Sequence, residues 1–421
     1  MGKTFAEKIL EKKAKKEVVP GEIVVVEPEW LMSHDNTSAI SKTFKSIGVS
    51  RVKYPERLVI ILDHCIPAAT EQYALNHKTI REFVKEQGIS HFFDINYGIC
   101  HQVFAEEGFA LPGNVILGSD SHTNTYGAFG ALAAGIGRSE AAAIYATGEM
   151  WLMVPESMKV ILRGKFPQGV HAKDLALKIL GDIGADGALY KSVEFTGEAV
   201  SELSLSQRMM LANMSAEMGA KNGYFAPDRQ VLDYIKNIAR GVYEVVLPDE
   251  DAHYESTLEY DLSTLVPQVA CPHSVDNVNT IEDVEGRVIH QALLGTCTNG
   301  RLDDLVVAAE ILKGRKIHPD VRLLVFPASW KVYLEALHHG IIQDLVESGA
   351  VVMNPGCGPC LGAHEGVLAP GEVCMSSANR NFKGRMGCKE GEVYLGSPAT
   401  VAASAVAGKI ADPRKLLVTT R

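Results

Sequence analysis

The sequence predicts an α/β protein built on mainly parallel sheets, and three observations carry that prediction. Short, continuously apolar runs such as Leu58-Val59-Ile60-Ile61-Leu62 alternate along the whole chain with longer stretches of helical periodicity. Three successive runs end in polar loops bearing histidine: Asp63-His64, then Gly98-Ile99-Cys100-His101-Gln102, then Gly118-Ser119-Asp120-Ser121-His122-Thr123. Two later runs end in glycine-framed cysteine loops. In open α/β sheets ligands bind at the carboxyl ends of the strands, so the polar residues gather where chemistry is expected.

Each element has a local reason. Thr4-Phe5-Ala6-Glu7 is a capping box opening a helix with Phe5, Ile9 and Leu10 on one face, and residues 12–16 are its solvated end. Residues 22–27 read as a strand. In His34-Asp35-Asn36-Thr37, Asn36 or Thr37 is expected to cap the next helix, and His34 and Asp35 read either as site residues or as part of that turn. The strand at 57–62 is followed by a helix over 70–87 and by strands at 91–95 and 114–117. Residues 158–162 are a strand and 173–182 a helix. The pattern from 205 to 219 is helical, which puts Asn213 and Glu217 on one face; the Ala, Gly and Met residues around Glu217 predict its burial. A helix follows over 228–240. The polar stretch 248–274 reads as irregular, and with 275–285 as a connection. Strands at 288–294, 321–326, 350–353 and 372–375 then alternate with helices at 302–313 and 331–340. This divides the chain into α/β domains over 1–285, carrying histidines and carboxylates, and an α/β region over 286–421, carrying the cysteine loops.

Composition narrows the function class. The chain is 46% hydrophobic and 22% charged, an ordinary globular balance with room for more than one core. A net charge of −10 argues against a general nucleic-acid or membrane-surface binder, although a local arginine cluster could still hold an acidic substrate. No apolar run reaches membrane-spanning length; the small-residue stretch 127–146 contains Arg138 and Glu140. The eight cysteines lack a disulfide-scaffold spacing and nothing before Thr4 resembles a leader, so a reducing cytoplasm is the expected compartment.

The cysteines carry the sharpest signal. Cys297 lies in Gly295-Thr296-Cys297-Thr298-Asn299-Gly300-Arg301, and Cys357 and Cys360 lie in Asn354-Pro355-Gly356-Cys357-Gly358-Pro359-Cys360-Leu361-Gly362. On spacing alone, Cys-Gly-Pro-Cys reads equally as a thiol–disulfide redox motif or as a metal ligand pair. A second glycine-framed loop tips the reading toward an iron–sulfur cluster held by Cys297, Cys357 and Cys360; zinc with a fourth ligand from His or Asp stays open. A cubane normally takes four cysteines, so three would leave one iron open as a Lewis acid. Asp63-His64, His101 and Asp120-Ser121-His122 suit acid–base work, since a carboxylate fixes the tautomer and orientation of an imidazole. Arg380 and Arg385, in Asn379-Arg380-Asn381-Phe382-Lys383-Gly384-Arg385, could clamp a carboxylate or simply be solvated.

Together, Gly118-Ser119-Asp120-Ser121-His122-Thr123, Gly295-Thr296-Cys297-Thr298-Asn299, Cys357-Gly358-Pro359-Cys360 and Asn379-Arg380-Asn381-Phe382 with Gly384-Arg385 resemble the aconitase superfamily. Within it, the chain is similar to the large subunits of the isopropylmalate dehydratase and homoaconitase group, from its first helix to its end. The resemblance implies a fold of three α/β/α domains around a [4Fe–4S] cluster, without the swivelling domain that single-chain aconitases carry. It implies Cys297, Cys357 and Cys360 as cluster ligands and His64, oriented by Asp63, as general acid. His101, Asp120, His122 and Glu217 would surround the iron-bound water and the leaving hydroxyl. Asn213 and Asn379 would hydrogen-bond the cluster region, and Arg380 and Arg385 would hold substrate carboxylate. His34 is implied as a substrate contact; it stands where single-chain aconitases have glutamine, which fits the shorter, non-citrate branch. The activity implied is a hydro-lyase acting on a small substituted malate. Isopropylmalate, as in leucine biosynthesis, is the first expectation, and homocitrate/homoaconitate or dimethylmalate the alternatives. A separate small subunit carrying the swivelling domain, in a heterodimer or heterotetramer, would supply a serine and further arginines. A non-catalytic cluster protein or an RNA binder is the rival of another class.

Overall fold

The computed structural model describes residues 2–417. The chain forms two compact units. One comprises Met1–Asn96, Cys100–Arg163 and Ala188–Tyr260; the other comprises Tyr97–Ile99, Gly164–Gly187 and Asp261–Arg421.

The first unit contains a five-stranded sheet in the order His91–Phe93, Leu58–Ile61, Trp30–Ser33, Val115–Gly118, Leu132–Gly135, parallel throughout. Leu58, Val59, Ile60 and Ile61 are all buried, which is why they read as a continuous apolar run rather than an alternating one. On one face, Leu31, Leu58, Ile60 and Leu117 form a single core with side chains from three helices, Thr37–Ser46, Glu71–Gln87 and Arg138–Thr147. The central strand, Trp30–Ser33, is absent from the sequence reading. Four residues are too short to show a period, and only their complete burial reveals the role. Residues Ile23–Val26, expected as a strand, pair antiparallel with Met150–Met153 in a separate two-stranded ribbon.

A four-stranded sheet runs Asn222–Phe225, Ser192–Thr196, Ser157–Arg163, Ser256–Asp261. The helix expected over 205–219 is two elements, Leu205–Met214 and a tight turn Ser215–Met218, so Asn213 and Glu217 do not share a helix face. Ser215 Oγ donates back to the Ala212 carbonyl at 2.7 Å where the helix gives way, a side-chain bond that competes with the regular ladder.

The second unit is built on seven strands in the order Val278–Thr280, Gln268–Ala270, Glu392–Leu395, Val373–Ser376, Gln291–Gly295, Arg322–Phe326, Val351–Val352. The five from Glu392–Leu395 onward are parallel, and Gln268–Ala270 is antiparallel to both neighbours. Ala292, Leu294, Leu323, Val325 and Met375 form one core with the helices Leu302–Leu312 and Pro398–Ala407. The stretch 248–274 is not irregular: it holds Ser256–Asp261 and Gln268–Ala270. Only Tyr260 is buried in the first of these, so its polar residues face outward and mask the strand. Among the described residues, no helix is long and apolar enough to cross a membrane.

Candidate active site

Parallel strand ends set out the first group of side chains. The strand Trp30–Ser33 delivers His34 and Asp35, and Leu58–Ile61 delivers Asp63 and His64. Val115–Gly118 runs into a nine-residue turn, Ser121–Phe129, that Asp120 caps by accepting from the His122 N–H. Asp63 is fully buried; its Oδ1 lies 2.5 Å from His64 Nδ1, and its Oδ2 accepts from the Cys100 N–H at 2.7 Å. Both oxygens are therefore fixed, and the imidazole is aimed with its Nε2 outward, 3.4 Å from Asp120 Oδ2.

Asp120 is the junction of the group. Its Oδ1 is 2.8 Å from His101 Nε2 and accepts from the His122 N–H at 2.8 Å. Burial would raise its pKa, but the hydrogen bonds from His101, His122 and His64 outweigh it and hold the carboxyl well below its ordinary range. His101 Nδ1 lies 3.2 Å from the Tyr126 hydroxyl, and His122 Nε2 lies 2.7 Å from Glu217 Oε1. Glu217 is buried, as its apolar surroundings predicted. Asn213 donates to Thr125 Oγ1 at 2.9 Å, which ties its helix to the turn that follows Asp120.

His34 stacks on His64, with ring centroids 3.8 Å apart and planes 15° off parallel. Burial first, and then the charge of His64, pushes its pKa down to about 4, so it is neutral near pH 7. Its Nδ1 is buried without a hydrogen-bond partner. Asn36 is the N-cap residue of the following helix but makes no capping bond with its side chain, and Thr37 is already the first residue of that helix. Asn36 instead donates to the Ser119 carbonyl and accepts from the Ser119 hydroxyl, and Asp35 is committed elsewhere. One ring of His34, Asp35, Asp63 and His64 places four potential metal donors within 4.8 Å of one another, but the Asp35 and Asp63 oxygens already accept from backbone N–H groups.

The cysteines belong to the second unit. Gly295, at the end of its strand, sits at φ 128°, and a Cβ there would fall 2.1 Å from the Phe326 carbonyl oxygen. Thr296 follows at φ 71°, unusual for a β-branched residue, and Cys297 lies in the short helical turn Thr296–Asn299. Arg301, buried, closes that turn by donating to the carbonyls of Thr298 at 2.8 Å and Cys297 at 2.9 Å. Cys357 precedes a tight turn, Gly358–Leu361, and Cys360 lies within it, with the Cys360 N–H donating to the Cys357 carbonyl. Gly358 has φ 54°, and a Cβ there would fall 2.4 Å from the Phe326 ring. The redox reading expects a helix at this motif, and a four-residue turn takes its place.

Asn379, buried, joins the two cysteine loops: its Nδ2 donates to Cys297 Sγ at 3.3 Å, and Cys360 Sγ lies 3.6 Å from its Oδ1. Arg385 points a guanidinium nitrogen at Cys360 Sγ from 3.6 Å, while Arg380, next to Asn379, is partly exposed. Sequence reasoning missed Lys173. It is 1% exposed, and its Nζ donates to the carbonyls of Ser377 at 3.1 Å and Ala378 at 2.8 Å, the residues just before Asn379. A lysine at the start of an amphipathic helix reads as surface, and nothing local signals its burial.

Comparison with known proteins agrees with this arrangement. The model of the Aconitase family (aconitate hydratase) matches residues 7–287 and 281–408. The chain is 52% identical to 3-isopropylmalate dehydratase large subunit 1 of Methanopyrus kandleri, over 99% of this chain and 100% of that one. It is 52% identical to a probable methanogen homoaconitase large subunit of Methanosarcina mazei, over 93% of this chain and all of the other. It is 46% identical to the 3-isopropylmalate dehydratase large subunit of Hydrogenobaculum sp., over 99% of each. Among solved structures, the holo form of Thermococcus kodakaraensis aconitase X matches with a TM-score of 0.50 and 12% identity, covering 89% of this chain and 88% of that one, a likeness of fold alone. With a family model matched along nearly its whole length and relatives half identical from end to end, this chain belongs to the aconitase family.

Proposed function

We propose that this chain is the large, cluster-bearing subunit of a 3-isopropylmalate dehydratase, interconverting 2- and 3-isopropylmalate by dehydration and rehydration. The observation that carries the reading is the end-to-end identity to relatives of that name, set on a site whose side chains suit the reaction. A second reading, a homoaconitase large subunit, is supported by an equally identical relative of that name.

The family implies an iron–sulfur cluster, and the residues present fit one. Cys297 and Cys360 are buried, none of the eight cysteines is in a disulfide, and N–H donors from Asn379 and Arg385 are directed at the two sulfurs. Such donors stabilise thiolates, the form in which cysteine binds metal. Cys297, Cys357 and Cys360 are assigned as the ligands of a [4Fe–4S] cluster. When bound, it supplies a Lewis acid that makes hydroxide a better leaving group.

This chain's own residues supply the protons and the orientation. His64 delivers a proton from Nε2 to the departing hydroxyl, with its Nδ1 held by Asp63. Asp120, kept ionised, holds His101, and Glu217 holds His122, so the proton relay stays in one geometry. His34 offers its unpartnered Nδ1 to the substrate, and Arg380 and Arg385 bind carboxylate. No residue assigned here removes the proton from carbon. A small subunit, implied by the relatives' large-subunit names, is proposed to supply that base and the pocket for the side group. The test is anaerobic reconstitution followed by dehydration assays on 3-isopropylmalate, homocitrate and dimethylmalate, with and without the small subunit. About four irons per chain are expected, and turnover only after the small subunit is added. Stoichiometric zinc in the natively purified chain, or full activity without a partner, would overturn the reading.

A further inference from the structure

Asp35 occupies a position that the proposed reaction does not use. Its carboxylate is buried at the end of the central strand Trp30–Ser33. Oδ2 accepts from the N–H groups of Asp63 and His64, both at 2.9 Å. Oδ1 accepts from the Cys65 N–H at 3.3 Å and lies 2.8 Å from His77 Nε2. A carboxylate offers about four lone-pair sites, and here all four have a donor. Although burial would raise its pKa, His77 and the neighbouring histidines and N–H groups hold the group well below the usual carboxylate range. A carboxylate so filled has nothing left for substrate.

We propose that Asp35 and His77 are a positioning pair whose task is to hold the 63–65 backbone turn, and through it the Asp63–His64 dyad, in its working geometry. The proposal rests on the role assigned to His64. Three consecutive N–H groups converge on one carboxylate, so the turn cannot rotate without breaking several charge-assisted hydrogen bonds together. His77 supplies the side-chain donor. It comes from the helix Glu71–Gln87, is 3% exposed, and lies on the buried face with Ile80, Phe83 and Val84. Its Nε2 bond fixes the direction of the Asp35 carboxylate, much as an outer partner orients a metal-bound or catalytic imidazole. The consequence reaches Asp63: a shift of the turn would pull Oδ1 away from His64 Nδ1, 2.5 Å distant, while Oδ2 stayed tied to the Cys100 N–H.

The experiment is a double-mutant cycle on the reconstituted, cluster-loaded chain with its small subunit, measuring kcat and KM for 3-isopropylmalate. His77→Phe, His77→Gln and Asp35→Asn are each made alone and together with His64→Ala. Alone, His77→Phe and Asp35→Asn are expected to lower kcat about 10- to 100-fold, the usual effect of removing an orienting partner, with iron content and KM unchanged. His77→Gln, which keeps an N–H donor, should recover most of the loss. With His64 already absent, the same changes should cost less than about 3-fold, since groups that act as a unit are non-additive. An equal loss in both backgrounds, a rise in KM in place of the fall in kcat, or an unchanged kcat would overturn the proposal. So would a loss confined to yield or thermal midpoint, with the folded fraction fully active. The His64→Ala arm by itself tests the role of His64, so the two failures are read from different measurements.

Discussion

Replacing Asn379 separates the amide's effect on the thiolates from its effect on packing. Asn379 is 1% exposed and bridges Cys297 and Cys360. Cys360 can donate to Oδ1 only while it is a thiol, so under the proposed ligation the bond that remains is the one from Nδ2 to Cys297 Sγ at 3.3 Å. A hydrogen bond to a charged group contributes about 1.5–3 kcal/mol. At about 1.4 kcal/mol per decade, this corresponds to roughly 10- to 100-fold in affinity, the range also expected for losing an outer partner of a metal ligand. Asn379→Leu, which keeps the branching at Cγ but has no amide, should therefore release iron to an excess of chelator about 10- to 100-fold more readily than wild type. Asn379→Ala should do the same and add a packing defect visible as a lower thermal midpoint. The assay is anaerobic iron release followed optically, with no turnover needed. Release within about 3-fold of wild type in the leucine variant would refute the reasoning, because the amide would then contribute less than the weakest charged hydrogen bond considered.

Three further outcomes are expected. His64→Ala and Asp120→Asn should each lose about 10²- to 10⁴-fold in kcat with iron content intact, and near-normal turnover in His64→Ala would remove His64 from the chemistry. Arg380→Lys should mainly raise KM, since an ammonium cannot reproduce the planar fork; an unchanged KM with reduced kcat would argue against carboxylate binding. His34, with its folded pKa pushed down to about 4 from an ordinary 6.5, binds fewer protons when folded than when unfolded. Its contribution to stability is therefore complete above pH 6.5 and is lost as the pH falls toward 4. Replacing His34 with Gln should flatten the wild-type decline across that window in paired denaturation curves, and parallel curves would contradict it.

What the sequence disclosed tracks how locally each feature is encoded. Asp63-His64, Asp120-Ser121-His122 and the two cysteine loops were legible because a parallel strand presents its functional residues in the few positions after its last apolar side chain. The capping box at Thr4 was legible for the same reason, being closed within four residues. Trp30–Ser33 was not, because its identity as the central strand depends on partners at Leu58 and Leu117. His77 and Lys173 sit in helices whose neighbours include charged residues, and each is buried by a partner far away in sequence: Asp35 in one case, the Ser377 and Ala378 carbonyls in the other. The splitting of 205–219 turned on the Ser215 hydroxyl bonding back to Ala212, a competition that helical periodicity does not register.

The segment Gly164–Gly187 has a consequence for how the chain is made. It belongs to the second unit, yet apart from Tyr97–Ile99 its companions begin at Asp261, and the carbonyls that receive Lys173 lie 204 and 205 residues downstream. At about 5–20 residues per second, the ribosome needs roughly 10–40 s to deliver them. During that interval a helix carrying Leu175, Leu177, Ile179 and Leu180, all destined for burial, has been synthesised without its final neighbours. The first unit, by contrast, has every residue it needs once Tyr260 has left the exit tunnel. The newborn chain therefore passes through a stage in which every residue of the first unit has been made while an apolar helix of the second still lacks its later partners, and a chaperone that binds apolar segments would find one there.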